Sequence, residues 1–329
     1  MEINHERLKN MDIRALSESI LNETKKIIVG KDDKIKLIIM AVLADGHVLI
    51  DDLPGVGKTT LVKTMSKALG CESTRIQFVP DLLPSDIVGM RIFNQKLGDF
   101  ELRQGPVMTN ILLADEINRA IPRTQSALLE AMEEKQVSID GRIFPLPSPF
   151  TVLATQNPVE TESTFRLPAA QLDRFLISIS MGYPSPEEEA RMLRLLGDDI
   201  PFEAVSAVTS AQEILEAREA VKKVYISDAV TDYIVALTDA TRNDARLRLG
   251  ASPRASRALF KACKAWAAMD GRDFVTPDDV KLLAESVLAH RLVLASRARL
   301  SDAGARSVLA DIVRSVPAAP TREQIADEK

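Results

Sequence analysis

Short apolar runs alternate with amphipathic stretches through the first half of the chain. His47–Ile50 (HVLI) is an apolar run entering a turn, and helical spacing follows from Lys58 to Leu69. Arg75–Val79 (RIQFV) predicts a strand, Ile111–Ala114 (ILLA) a buried strand, and Thr124–Lys135 a helix. Phe150–Ala154 and Phe175–Ile179 predict two more strands. Strands alternating with helices imply a parallel sheet covered on both faces.

Near Tyr183-Pro184-Ser185-Pro186 the pattern changes, and from Glu187 onward only helices are expected. One runs from Pro253 to Met269, with Ala255, Leu259, Ala262, Trp266 and Met269 along one face. Thr276-Pro277-Asp278-Asp279 reads as an N-cap, a proline in the first turn and two acids, opening a helix to about His290. The expectation is an α/β domain over residues 1–184 and a smaller all-helical one over 185–329, with a frayed tail after Pro317.

Composition narrows the function classes. A chain of 329 residues is long for one core, and 46% apolar with 27% charged residues is an ordinary globular balance. Aromatics at 4% and a net charge of −5 disfavour a nucleic-acid partner. Cys71 and Cys263, with His5, His47 and His290, are too scattered for a zinc site or a disulfide framework; both cysteines read as small buried apolar residues. The longest apolar run, Leu37–Ala44, is too short to span a bilayer, and no signal-peptide pattern opens the chain. A cytoplasmic protein without a transmembrane segment is expected.

Between the first strand and its helix lies Asp52-Leu53-Pro54-Gly55-Val56-Gly57-Lys58-Thr59-Thr60. A phosphate-binding P-loop needs this setting. Gly55 and Gly57 let the backbone come close to phosphates, and the helix N-terminus adds positive charge. Lys58 brings a point charge to the β/γ-phosphates of ATP, and the Thr59 hydroxyl can ligate Mg²⁺. Asp52 stands where the P-loop consensus has its first glycine; Asp tolerates unusual backbone angles better than most residues.

Ile111–Ala114 ends in Asp115-Glu116. Ligands of parallel sheets sit at the carboxyl ends of strands, so Asp115 can hold Mg²⁺ through water and Glu116 can polarise the attacking water. Neither a guanine-reading Asn-Lys-x-Asp nor a transporter-type Leu-Ser-Gly-Gly-Gln string occurs, which disfavours GTPases and transporter ATPases. Asn157, after Phe150–Ala154, either orients that water or is a polar turn residue before Pro158. Arg174, at the start of the last strand, and Arg254, at a helix start, are either salt-bridge arginines or γ-phosphate cations.

Together these strings resemble the MoxR family of AAA+ ATPases. The resemblance rests on Arg75–Gly89 (RIQFVPDLLPSDIVG), Leu112–Glu134 (LLADEINRAIPRTQSALLEAMEE), Ala154–Phe175 (ATQNPVETESTFRLPAAQLDRF) and Gly250–Ala255 (GASPRA). It implies a P-loop AAA+ module, an α/β sheet flanked by helices and followed by a helical lid. It further implies a homo-oligomeric ring, usually a hexamer, with ATP shared between subunits. By position, Asn157 resembles sensor 1, Arg174 the arginine finger and Arg254 sensor 2, while Ile28-Val29-Gly30 resembles the segment against the adenine. Residues 80–105 would hold the helix-2 insertion and 136–149 a hairpin, both facing the pore. Family members act as chaperone-like remodelling ATPases with partners carrying von Willebrand factor A domains. Three rival readings share parts of the site: a metal-chelatase motor subunit, a nucleic-acid motor and a non-catalytic nucleotide-gated scaffold.

Overall fold

The computed structural model describes residues 12–52, 55–96, 98–157, 165–197, 201–296 and 304–318. Pro54, residues 158–164 and the tail from 319 lie outside them. The chain forms two compact units: Leu16–Leu167 with Ile179–Leu215, and Pro168–Ser178 with Glu216–Lys329 and Met1–Ala15.

Four strands of a five-stranded sheet lie wholly in the first unit. In chain order the strands are β1 (Val48–Asp51) and β2 (Ser73–Gln77), then a hairpin of β3 (Gly89–Asn94) and β4 (Asp99–Gln104), then β5 (Ile111–Asp115). A second hairpin, β6 (Gln136–Ile139) and β7 (Arg142–Pro145), precedes β8 (Thr151–Gln156) and β9 (Ile177–Ile179). The sheet order is β2-β5-β8-β1-β9, the first four being those of the first unit, and the two hairpins stand apart from it. β5 is buried along its whole length and β8 nearly so, which is why both read as unbroken apolar runs. β2 is an edge strand with only Ile76 buried, and it begins two residues before the expected start. β9 begins two residues late, so Arg174 lies not at a strand start but in the turn after the short helix Ala169–Leu172.

Parallel register aligns the carboxyl ends of the central strands. Gln77 lies opposite Asp115, and Asp51 opposite Gln156. Gly57, left-handed at φ 78, opens helix Lys58–Ala68 directly after β1. Helix Asp32–Leu43 buries Ile35, Ile38, Ile39 and Met40 in this unit's core with Leu49, Ile50 and Leu61.

The second unit contains helices Asp228–Asn243, Pro253–Met269, Pro277–Leu288 and Ala305–Ser315. Ser252 and Thr276 cap two of them, each hydroxyl accepting from a backbone N–H three residues on. Helix Pro277–Leu288 has the full capping box, and Arg272 grips the same Asp279 carboxylate through both terminal nitrogens at 2.6 and 2.9 Å. This unit is not purely helical: β10 (Leu247–Leu249) and β11 (Val293–Leu294) form an antiparallel pair. Sequence reading misses them because each is too short to display a period of two. Cys263 is fully buried, as expected, whereas Cys71 is half-buried. No described helix is long and apolar enough to cross a membrane.

Candidate active site

The loop after β1 turns on two left-handed glycines, Gly55 at φ 83 and Gly57 at φ 78. A Cβ at either would meet nothing within 4 Å, so backbone conformation alone demands glycine there, and the loop faces open space. Lys58 is 8% exposed, and its Nζ donates to the Asp52 carbonyl at 3.3 Å. Asp52 itself is not at positive φ, which corrects the reading of it as a tolerant turn residue. It is buried, and its Oδ2 accepts the backbone N–H groups of Met181 and Gly182, the latter at 3.0 Å. The side chain therefore ties the start of the loop to the segment after β9.

Gly55, Gly57, Lys58, Thr59 and Thr60 line a cavity of about 420 Å³ together with Arg75, Gln77, Asp115 and Glu116. Asp115 Oδ1 accepts from Thr155 Oγ1 at 2.6 Å, while Oδ2 accepts from Arg75 Nη2 at 2.7 Å and Nε at 3.2 Å. Glu116 has a left-handed backbone at φ 56, uncommon for a non-glycine residue, and its N–H donates to the same Thr155 hydroxyl at 2.8 Å. Its Oε2 accepts from Gln77 Nε2 at 2.6 Å and from Arg119 Nη1 at 2.9 Å. The hydroxyl and carboxylate oxygens here are the hard donors that Mg²⁺ prefers. Among the described residues no three His, Cys, Asp or Glu side chains form a metal-holding group. Such a donor set suits a cation shared with substrate phosphates, as in nucleotide sites, rather than an all-protein cage.

A second cavity, about 500 Å³, shares Gly55, Gly57 and Thr60 with the first. Ile28, Val29, Met181, Met192 and Leu193 give it apolar walls, and Gly55, Val56, Gly57 and Thr60 close one end. Gly30 does not line it. Its backbone is left-handed at φ 73, which favours glycine, and a Cβ there would have to displace the Glu188 side chain, whose carboxylate would lie 1.9 Å away.

Asn157 is buried just past the end of β8, where its carbonyl accepts from Asn118 Nδ2 at 3.3 Å. Arg174 and Arg254 both belong to the second unit. Ser252, the cap two residues before Arg254, donates its hydroxyl to Asp173 Oδ2 at 2.7 Å, and Arg291 Nε lies 3.2 Å from Asp173 Oδ1. Burial pushes the Arg291 guanidinium down to about 10, with Asp173 opposing the shift and the positive charge of Arg254 adding to it. Sequence reasoning missed Arg75, Gln77, Arg119 and Thr155. Only the polar alternation of Arg75 and Gln77 around Ile76 hinted that one face of β2 looks onto something polar.

Residues 47–177 match the ATPase family associated with various cellular activities (AAA), and 239–312 match the AAA lid domain. The chain is 46% identical over 305 residues to the uncharacterized protein YeaC of Bacillus subtilis, covering 93% of this chain and 95% of that one. It is 42% identical to the chaperone MoxR1 of Mycobacterium tuberculosis, covering 93% of this chain and 82% of that relative. A crystal structure of a candidate ATPase from Cytophaga hutchinsonii superposes with a TM-score of 0.89 at 38% identity, over 97% of this chain and 100% of that one. A parallel α/β unit with a glycine-turned loop before its helix, an AAA lid and relatives alike along most of their length agree: the chain belongs to the MoxR family of AAA+ ATPases.

Proposed function

We propose that the chain hydrolyses Mg-ATP and uses the cycle to remodel or activate a partner protein. The carrying observation is that Asp115 and Glu116 line the same cavity as Gly55, Gly57, Lys58 and Thr59. In this reading the backbone of the loop from Pro54 to Thr60 cradles the phosphates, Lys58 adds its charge, and the apolar cavity beside Val29 takes the adenine. Thr59 and Asp115 hold Mg²⁺, which neutralises charge on the transferred phosphoryl group when bound. Glu116 orients and polarises the attacking water, and Asn157 steadies it by hydrogen bonding. Arg174, supplied by a neighbouring copy in a ring, and Arg254 in the lid add positive charge at the γ-phosphate.

The chaperone-like part draws on the similarity to the chaperone MoxR1 and on the hairpins. Ile92, Phe93 and Phe100 on β3–β4 and Ile143 on β6–β7 are exposed apolar side chains, suited to transient grip on a client. A hexameric ring and a partner with a von Willebrand factor A domain complete the proposal. Glu116→Gln tests its core: it should still bind ATP and lose about 10²- to 10⁴-fold in turnover, the scale of a lost general base. Wild-type turnover by that variant in a steady-state phosphate-release assay would overturn it.

A further inference from the structure

Arg75 has no part in the mechanism above, yet it makes a charged contact at 2.7 Å with Asp115, the acid assigned there to the metal. Its position follows from the sheet. Ser73, Arg75 and Gln77 alternate onto one face of β2, and parallel register sets Gln77 opposite Asp115 and Arg75 opposite Leu113. The long Arg75 side chain reaches one step along β5 and meets Asp115 with two nitrogens on one oxygen. The other oxygen is tied inward to Thr155. Asp115 thus offers the cavity mainly Oδ2, and Arg75 holds it.

We propose that Arg75 is a built-in competitor of the metal: the Arg75–Asp115 pair must open for Asp115 to serve Mg²⁺, so Arg75 sets how strongly metal and nucleotide binding are coupled. This rests on the reading of Asp115 as the metal-side acid. Two observations carry it beyond a surface ion pair. The Arg75 side chain is 47% exposed and that of Asp115 only 12%, so the arginine can swing into solvent while the acid stays in place. Arg75 Nη2 also donates to Gln77 Oε1 at 2.6 Å, and Gln77 passes its amide N–H to Glu116 Oε2 at 2.6 Å. Displacing the guanidinium therefore removes the partner that orients Gln77 and loosens one of the two donors holding Glu116. Metal arrival at Asp115 and release of the Glu116 carboxylate become one event, passed between the two acids through Arg75 and Gln77 on the adjacent strand β2.

The test measures binding with the full chain and a fluorescent, non-hydrolysable ATP analogue. Its Kd is measured by anisotropy in excess Mg²⁺ and in EDTA, and the ratio of the EDTA value to the Mg²⁺ value reports the coupling. Arg75→Met should raise that ratio roughly 3- to 10-fold, the scale of a half-exposed charge-assisted pair, with the EDTA value unchanged. An unchanged ratio would overturn the proposal, as would weaker binding under both conditions, which would make Arg75 a phosphate ligand instead. If wild-type protein fails to bind the analogue, or Lys58→Ala binds it equally well, the nucleotide-site reading itself falls. A wild-type Mg²⁺ effect that Arg75→Met leaves untouched sinks only the present inference. Should Arg75→Met fail to fold, Arg75→Lys decides by the same ratio, since it keeps the charge and loses the fork.

Discussion

Replacing Asp52 by glycine would restore the usual first residue of a phosphate loop, and the structure predicts that this restoration is harmful. Asp52 is 5% exposed, and its carboxylate accepts two backbone N–H groups, from Met181 and Gly182. Hydrogen bonds to a charged acceptor contribute about 1.5–3 kcal/mol each, and an orphaned buried N–H costs about 1–3 kcal/mol. Two offsets reduce the total: the partly exposed Gly182 N–H can find water, and removing a buried charge recovers part of its desolvation. The added chain freedom of glycine costs a further ~0.5–1 kcal/mol. Asp52→Gly should therefore destabilise by about 2–4 kcal/mol, which lowers the melting temperature by roughly 5–15 °C in a unit of this size. Asp52→Asn keeps an acceptor oxygen and should lose about half as much. Calorimetry gives the magnitude, and amide exchange at Met181 and Gly182 gives the location. The Lys58 bond uses the Asp52 carbonyl, which glycine retains, so lost stability would not report on that contact. A glycine variant within about 0.5 kcal/mol of wild type, with both amides still protected, would refute the anchoring role.

Two further outcomes are expected. Arg174→Ala subunits should be inactive alone but regain some phosphate release when mixed with Glu116→Gln subunits, because only a mixed interface pairs an intact arginine with an intact acid; confirmed mixed rings without rescue would count against an arginine acting across the interface. Burial pushes the His290 imidazole down to about 3, with the Arg291 charge adding to the shift and the hydrogen bond to the Phe175 carbonyl opposing it. The folded value lies below the ~6.5 of an unfolded chain, so this contribution is complete above ~6.5 and drains as pH falls toward 3. Between pH 7 and 5 wild type should lose about 2 kcal/mol more stability than His290→Gln; parallel pH profiles would show that the ring is not held neutral.

What could be read from the chain, and what could not, divides by the distance over which a residue finds its partner. Gly55 and Gly57 were legible because left-handed backbone is a local demand that leaves a local mark. β5 and β8 were legible because burial on both faces leaves no room for polar residues. Helix Pro253–Met269 was read to both ends because Ser252, Pro253 and the apolar spacing all lie within its own segment. Edge strand β2 was misjudged by two residues: only Ile76 is buried, so Phe78, buried beyond the strand end with its N–H on the Asp115 carbonyl, looked like part of it. The helix after Pro184 looks like the start of a separate helical domain, yet Glu189, Met192 and Leu193 wall a cavity of the α/β unit; no local pattern states which core an amphipathic helix will cover.

The polar side chains that tune the site fall at the far end of that scale. Gln77 meets Glu116, Arg75 meets Asp115 and Thr155 meets both acids only because three strands are set side by side in parallel register. Shifting β2 by one residue against β5 would turn Arg75 and Gln77 to the opposite face and leave Asp115 and Glu116 without these partners. The two acids are announced by one strand read alone, but the groups that restrain them exist only once the sheet is assembled. The chemistry proposed for the two acids is thus written locally, while its control is written in register, and a family resemblance carries over the first more securely than the second.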